Sequence, residues 1–414
     1  MLKFKNEIPF VEDTSLHDII RVCETPFYIY SQNMIKQKVE MTKKVLGENI
    51  FFSVKSNSNQ AILKLMNSLN IGADVVSIGE LKRCLHAGFP SNKIIFEGVG
   101  KSKDDLIYAM QQNIRLINTE SIEEIKLLQK LASEKNKIID IGVRLNPNID
   151  GGTISKISTG KKTDKFGIEM NEIENIANLV SDFSNLNLIS ISCHIGSQIS
   201  NIDAHKNTFK EMKKATDIFL SLGINIKHID LGGGFHVQYK DNDPKFKIED
   251  VKKELDACFN SSSPYEISFE PGRYLIAEAG ILVTSIITTK QNGGINYLIV
   301  DAGMNTLIRP AMYNAHHDII TTKKKIDSSV TYTVAGPICE SSDIFAKNIL
   351  LSKQTIGDIL IIKNTGAYGK VMSSTYNTRA LPTEVLVNKE NFAIIYAPDE
   401  IEKNIEKDIV PSWL

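Results

Sequence analysis

Nothing in these 414 residues reads as a membrane span, because no stretch approaches 18 consecutive apolar residues. The opening MLKFKNEIPFVED also lacks the apolar segment of a secretion signal, so a soluble, cytoplasmic protein is expected. An excess of charge is missing too: 48 Lys plus Arg stand against 49 Asp plus Glu, and the lysines are scattered rather than gathered in a stripe. Nucleic acid is therefore not an expected partner. Cysteine is sparse. Cys23, Cys84, Cys193, Cys258 and Cys339 are an odd number with no C-x-x-C spacing, which argues against a disulfide framework, a zinc site or a dithiol redox site. Low-complexity segments are absent as well. The length itself is too great for one ordinary domain and reads as two.

What the chain does have is a recurring β-branched run. IFFSV, DVVS, IIFEG, RLINT, IIDIGVRLN, LISISCH, IKHIDL and EISFE follow one another between residues 50 and 270. The stretches between them, such as NQAILKLMNSL, IGELKRCLHAG, KDDLIYAMQQ and SIEEIKLLQKLASE, repeat apolar residues at helical spacing. Helix starts are marked by Ser121 three residues before Glu124 and by Ser102 ahead of Asp104 and Asp105. Eight β-then-α units predict a closed parallel (β/α)8 barrel, whose strand ends converge on one face. The runs exit on Lys55, Ser77, Glu97, Asn118, Arg144, His194, Gly232 and Glu270, so side chains distant in sequence are expected around one pocket. After Gly272 strand follows strand, in GILVTSIITT, INYLIVDA, SSVTYTVAG, DILIIKNTG and EVLVNKENFAIIYA, predicting a mostly antiparallel β domain. The early run FYIYS, at residues 27–31, is expected to add an edge strand to it.

Several residues could carry chemistry. Lys55, directly after an apolar strand in FFSVKSN, is either a carbonyl-trapping nucleophile or a solvated lysine at a strand end. Gly232, Gly233 and Gly234 in DLGGGF leave the seventh strand, where barrels often bind phosphate; a plain tight turn is the alternative. GVGKS at 98–102 imitates the end of a phosphate loop, but Ile95 occupies the position that needs the first glycine, and that reading is rejected. His194 opens HIGSQ with Ser197 behind it, and no second histidine stands at metal-ligand spacing. His316 and His317 are adjacent and so point apart. Glu270 in EPGR can hold a protonated ring nitrogen, and Arg273 offers a planar fork for a carboxylate or phosphate; alternatively the two form a structural pair. Cys339 and Glu340 in GPICESSD and Tyr368 in NTGAYG complete the set. A lysine, an anion-binding glycine loop, a carboxylate and an imidazole on one rim describe a site for an aldehyde cofactor with a ring nitrogen and a phosphate, which is pyridoxal 5′-phosphate.

The ordered motifs FSVKSN, GADVVSIGEL, VRLNP, STG with KFGI, HIGSQ, DLGGGF, EPGR, LIRPAMY, GPICESSD and GAYG span essentially the whole chain. Together they resemble the diaminopimelate decarboxylase family of fold type III pyridoxal-phosphate enzymes. The resemblance implies a cofactor-binding barrel at 33–271, a β domain from 1–32 plus 272–414, and a homodimer whose active sites draw on both subunits. It further implies decarboxylation of meso-2,6-diaminopimelate to L-lysine and CO2, the last step of lysine biosynthesis.

Residue by residue, the resemblance makes Lys55 the lysine that carries the cofactor and His194 the imidazole stacked on its ring. Ser197, Gly232 to Gly234 and the Pro271, Gly272 and Arg273 backbone become the phosphate cradle, and Glu270 the partner of the ring nitrogen. Arg273, Arg309 and Tyr313 match the clamp for the substrate's distal carboxylate. Glu340 matches the partner of its distal ammonium, Cys339 the general acid, and Tyr368 a tyrosine near cofactor and substrate. Two positions depart from the family pattern: Ile154 stands where many relatives have His, and His316 where many have Tyr. A decarboxylase for ornithine, arginine or carboxynorspermidine is the nearest rival, and a non-catalytic relative that only binds is the other.

Overall fold

The computed structural model describes residues 1–5, 8–152, 159–260, 263–322 and 329–414. The chain divides into two compact units: Lys38–Gln238 with Pro244–Leu275, and Met1–Gln37 with Tyr239–Asp243 and Ile276–Leu414.

The first unit is the barrel. Its strands are β1 (Phe51–Ser53), β2 (Gly72–Val75), β3 (Ile94–Phe96), β4 (Leu116–Thr119), β5 (Ile139–Asn146), β6 (Leu186–Ser192), β7 (His228–Asp230) and β8 (Glu266–Ser268). Each pairs in parallel with its sequence neighbour, and a parallel bridge between Ile50 and Phe269 brings β8 round to β1. The backbone amide of Phe51 donates to the Phe269 carbonyl at 2.9 Å across that seam. The strands are short because only their central residues need to face both the barrel interior and the helices. Helix starts follow the sequence signals: Ser121 accepts from the Glu124 amide, and Ser102 forms a reciprocal capping box with Asp105. Ser77, at the exit of β2, is likewise an N-cap, for Ile78–His86. All these caps launch their helices from the end of the barrel to which the strands deliver their exit residues, so cap and functional positions are interleaved.

The second unit is a mixed but mostly antiparallel sheet. Its order runs Ile344–Ser352, Ser329–Ala335, Ile295–Val300, Gly280–Asn292, Phe27–Ser31, Thr383–Asn388, Asn391–Tyr396. Two pairings are parallel, Ile295–Val300 with Ser329–Ala335 and Phe27–Ser31 with Thr383–Asn388. FYIYS is thus not an edge strand: Phe27–Ser31 lies inside the sheet with all five residues buried. The alternation of aromatic and aliphatic residues reflects burial on both faces. Phe27 and Ile29 join Val11, Leu16, Ile281, Ile361 and Val385 in the core, while the Tyr28 and Tyr30 hydroxyls donate to the Thr306 carbonyl and to Glu384, each at 2.8 Å. A phenol satisfied in this way can be buried at little net cost. Gly280 and Gly366 let two backbones meet, since a Cβ on Gly366 would lie 2.0 Å from the Ile276 carbonyl oxygen. Among the described residues, no helix is long and apolar enough to cross a membrane.

Candidate active site

The barrel end that collects the strand exits is lined by ionisable side chains. Lys55 lies in a 3-10 turn immediately after β1, and its Nζ reaches Oδ2 of Asp74 at 3.2 Å. Asp74 is fully buried within β2 and also takes a 2.7 Å contact from the Ser53 hydroxyl, which in turn lies 2.9 Å from the Glu270 carbonyl oxygen. Asp74 belongs to no motif that announces its chemistry, although one carboxylate in the otherwise apolar run GADVV is a signal: an acid buried in a barrel wall needs a cation within reach.

Glu270 follows β8, and its Oε1 is buried without a hydrogen-bond partner among the described residues. Burial, then the charges of Asp230, Asp74 and Glu97, push its carboxyl well above the usual range, with Lys55 opposing. Glu97 is pushed up to about 7, mainly by burial, against the pull of Arg144; Asp230 is pushed up to about 6 for the same main reason. The Arg144 guanidinium bonds Glu120 at 3.1 Å and stands 4.0 Å from Glu97. This end of the barrel therefore holds more carboxyl groups than cations, and it favours any positive centre placed beside Glu270.

His194 leaves β6. Burial first, then the positive charges of Lys55 and Arg144, hold its ring well below the usual histidine range. A neutral ring fits the geometry, because its Nδ1 accepts from the Gly233 amide at 3.3 Å. The glycine turn is built for close approach. A Cβ would lie 2.5 Å from the Cys193 carbonyl oxygen at Gly232, 2.3 Å from that of Glu270 at Gly233, and 2.2 Å from that of Gly196 at Gly234. Gly232 spends its amide on Asp230 at 2.7 Å, whereas the Gly234 amide finds no acceptor among the described residues. Ser197 follows Gly196, whose carbonyl lies against this turn, and its hydroxyl oxygen accepts from both Nε and Nη2 of Arg273 at 3.2 Å. Gly272, between Pro271 and Arg273, packs where a Cβ would meet Ser53 at 2.9 Å.

These features fit pyridoxal phosphate. An orphaned buried carboxyl oxygen awaits a ring nitrogen, a glycine turn with an unspent amide beside Ser197 and Arg273 awaits a phosphate, and Lys55 stands on the same rim to meet an aldehyde.

The remaining candidates lie in the β unit. Arg309 opens a short helix, Arg309–Tyr313, with Pro310 in its first turn. Its buried guanidinium meets Nε2 of His317 at 2.7 Å and lies 4.8 Å from the Tyr239 ring centre. Tyr313 is half-buried at the end of the same helix. The adjacent histidines do part: His317 is buried against Arg309, while the half-buried His316 turns to Asp318 at 2.8 Å. Cys339 and Glu340 are exposed on one loop. Asn377 accepts from the Cys339 amide at 3.0 Å, and the Tyr376 hydroxyl donates to Glu340 at 2.6 Å. Asp343, at the end of the same motif, takes the Met304 amide at 2.6 Å and the Ile338 amide at 2.8 Å, closing the loop on itself. Tyr368 is half-buried with a left-handed backbone, φ 55°. Ile154 lies outside the described residues.

Residues 32–277, more than half of the chain, match the pyridoxal-binding domain of the pyridoxal-dependent decarboxylases, so barrel and site define a fold type III pyridoxal-phosphate decarboxylase. The sequence is 39% identical to the diaminopimelate decarboxylase of Campylobacter jejuni subsp. jejuni over 384 residues, 92% of this chain and 95% of that one. Among solved structures, diaminopimelate decarboxylase from M. jannaschii in complex with L-lysine superposes with a TM-score of 0.94 at 31% identity, covering 100% of this chain and 99% of the other. The Helicobacter pylori enzyme, also complexed with L-lysine, gives 0.90 at 34% identity, with 94% and 99% covered. The chain belongs to the diaminopimelate decarboxylase family.

Proposed function

We propose that this protein uses pyridoxal phosphate to decarboxylate meso-2,6-diaminopimelate to L-lysine and CO2, the final step of lysine biosynthesis. The observation that carries the reading is the barrel end itself, where Lys55, the unpartnered Glu270 oxygen and the glycine turn match the three functional groups of the cofactor. When bound, the cofactor supplies an aldehyde that condenses with amines and a protonated ring that draws electrons from the substrate's α-carbon.

The protein's own groups do the rest. Lys55 would hold the cofactor at its aldehyde, within reach of an incoming substrate amine. Glu270, whose carboxyl burial and the neighbouring carboxylates hold well above the usual range, would partner the ring nitrogen and supply the counter-charge to a protonated ring. His194 offers a neutral flat face that does not repel a cationic ring. Ser197, the Gly234 amide and the backbone at Gly272 and Arg273 receive the phosphate. Arg309, Tyr313 and Arg273 grip the distal carboxylate, Glu340 takes the distal ammonium, and Tyr368 borders cofactor and substrate. Cys339 delivers a proton to the α-carbon after CO2 has left. The protein works as a cytoplasmic homodimer in which Cys339 and Glu340 serve the partner's site.

The guanidinium of Arg309 speaks against ornithine or arginine as substrate, because a buried cation facing a cationic tail costs several kcal/mol. The decisive assay is CO2 release from meso-diaminopimelate beside ornithine, arginine and lysine. Release from meso-diaminopimelate far above the others is expected, and a preference for ornithine would overturn the substrate. A purified protein that acquires no visible absorbance from pyridoxal phosphate would overturn the cofactor.

A further inference from the structure

The two loops that face the proposed phosphate are fastened to each other by contacts that leave the site itself untouched. The Gln198 side chain pairs with the Val237 backbone in both directions, its Nε2 donating to the carbonyl at 2.9 Å and its Oε1 accepting from the amide at 2.9 Å. The next residue, Ile199, donates its amide to the Gly234 carbonyl at 2.9 Å. Gln198 adopts a left-handed backbone, φ 66°, which a non-glycine residue keeps only where the surroundings hold it. Behind this seam stands His205, in the first turns of the helix Ile202–Ser221 and packed against the Phe209, Phe235 and Phe246 rings.

His205 hydrogen-bonds the Ile199 backbone while its Nε2 has no partner among the described residues, so the single proton of a neutral ring sits on Nδ1 and is donated to the Ile199 carbonyl. Burial supports the neutral form by pushing the ring down to about 4. The Ile199 residue is thereby held on both sides, by His205 at its carbonyl and by Gly234 at its amide. With Gly234 fixed at φ 81°, fastening its carbonyl also fixes the direction of its amide, the one that finds no acceptor among the described residues.

We propose that Gln198 and His205 are positioning residues for the cofactor phosphate: they hold the Ser197 hydroxyl and the Gly234 amide in register without contacting the phosphate. The inference rests on the reading above that this turn receives the phosphate of pyridoxal phosphate. Phosphate recognition is thereby distinct from ring recognition, which Glu270 performs from the exit of β8 and His194 from three residues before Ser197.

The test compares the binding of pyridoxal phosphate and of pyridoxal, which lacks the phosphate, to the full-length apoprotein by absorbance. Gln198→Met removes both amide bonds at similar volume, and His205→Phe keeps the ring packing while removing the donor. Each variant should bind pyridoxal phosphate about tenfold more weakly or worse, and pyridoxal within about twofold of the wild type. Equal weakening of both ligands would mean general damage to the loops and would overturn the proposal, as would unchanged binding of both. Should Gln198→Met fail to fold, the same comparison on His205→Phe alone decides between these outcomes. A wild type that prefers pyridoxal phosphate while the variants keep that preference overturns this proposal only; a wild type that binds both ligands equally overturns the phosphate reading beneath it.

Discussion

The Lys55 ammonium and the Asp74 carboxylate face each other at 3.2 Å, the acid fully buried in one strand and the lysine a little over one-third exposed on the turn after its neighbour. The asymmetry has a use. A buried partner can hold the ammonium in one direction, while the exposure of the lysine keeps its nitrogen accessible to an incoming carbonyl. Lys55→Ala should therefore leave a protein that binds pyridoxal phosphate only reversibly. Borohydride should fix the cofactor covalently to the wild type and not to the variant, and turnover should fall by orders of magnitude. Covalent fixation on the variant would show that another amine does this work.

Sites shared between subunits can be detected by complementation. Lys55→Ala and Cys339→Ala proteins, each inactive alone, should regain activity when their subunits exchange, because every mixed dimer keeps one site with both residues intact. Random mixing of equal amounts should restore about a quarter of the wild-type rate. No recovery after proven exchange would confine each site to one chain.

Arg309 should separate substrate recognition from cofactor binding. A desolvated guanidinium gripping a carboxylate is worth on the order of 2–4 kcal/mol, so Arg309→Ala should lose roughly 30- to 1000-fold in kcat/KM while keeping the wild-type cofactor spectrum. Full efficiency on meso-diaminopimelate in the variant would remove Arg309 from the substrate's distal end.

His228 gives a test of the barrel's interior by pH. Its ring sits between Ser190 at 2.9 Å and Ser268 at 2.8 Å, and burial, then the charge of Arg115, pushes it down to about 3. A histidine depressed in the folded state contributes stability that is complete above its unfolded value, about 6.5, and is lost as pH falls toward the folded value. Between these limits this one group should give the wild type a stability slope of about 1.4 kcal/mol per pH unit, and His228→Gln should lack that component. Parallel denaturation curves of the two proteins from pH 7 to pH 4 would measure it, and an unchanged gap between them would refute it.

The barrel is legible in the sequence because its strands must be apolar towards the helices and its helices must start at caps, both of which are local patterns. Ser102 and Ser121 mark their helices in advance for that reason. FYIYS misleads because alternation is read as one wet face, whereas here the tyrosine hydroxyls are satisfied inside the protein, on Thr306 and Glu384. Partners that distant in sequence leave no local trace. The same holds for Ser268, which joins Asp230 and His228 of β7 from the neighbouring strand β8, and for Gln198, whose two backbone bonds to Val237 cannot be foreseen from HIGSQ. Asp74 and Asp343 stand inside motifs, yet a lone carboxylate has no signature until the groups that fold against it are known.

The placement of Phe27–Ser31 inside the sheet, between Gly280–Asn292 and Thr383–Asn388, bears on how the protein is made. The strand is synthesised long before its parallel partner, and also before Gly280–Asn292. Until Gly280–Asn292 has been made neither of its edges can pair, and until Thr383–Asn388 follows one edge stays open, a template for association with other chains. A message truncated before Thr383 would release a polypeptide with that edge permanently open, so frameshifts late in the reading frame should yield insoluble products rather than merely inactive ones.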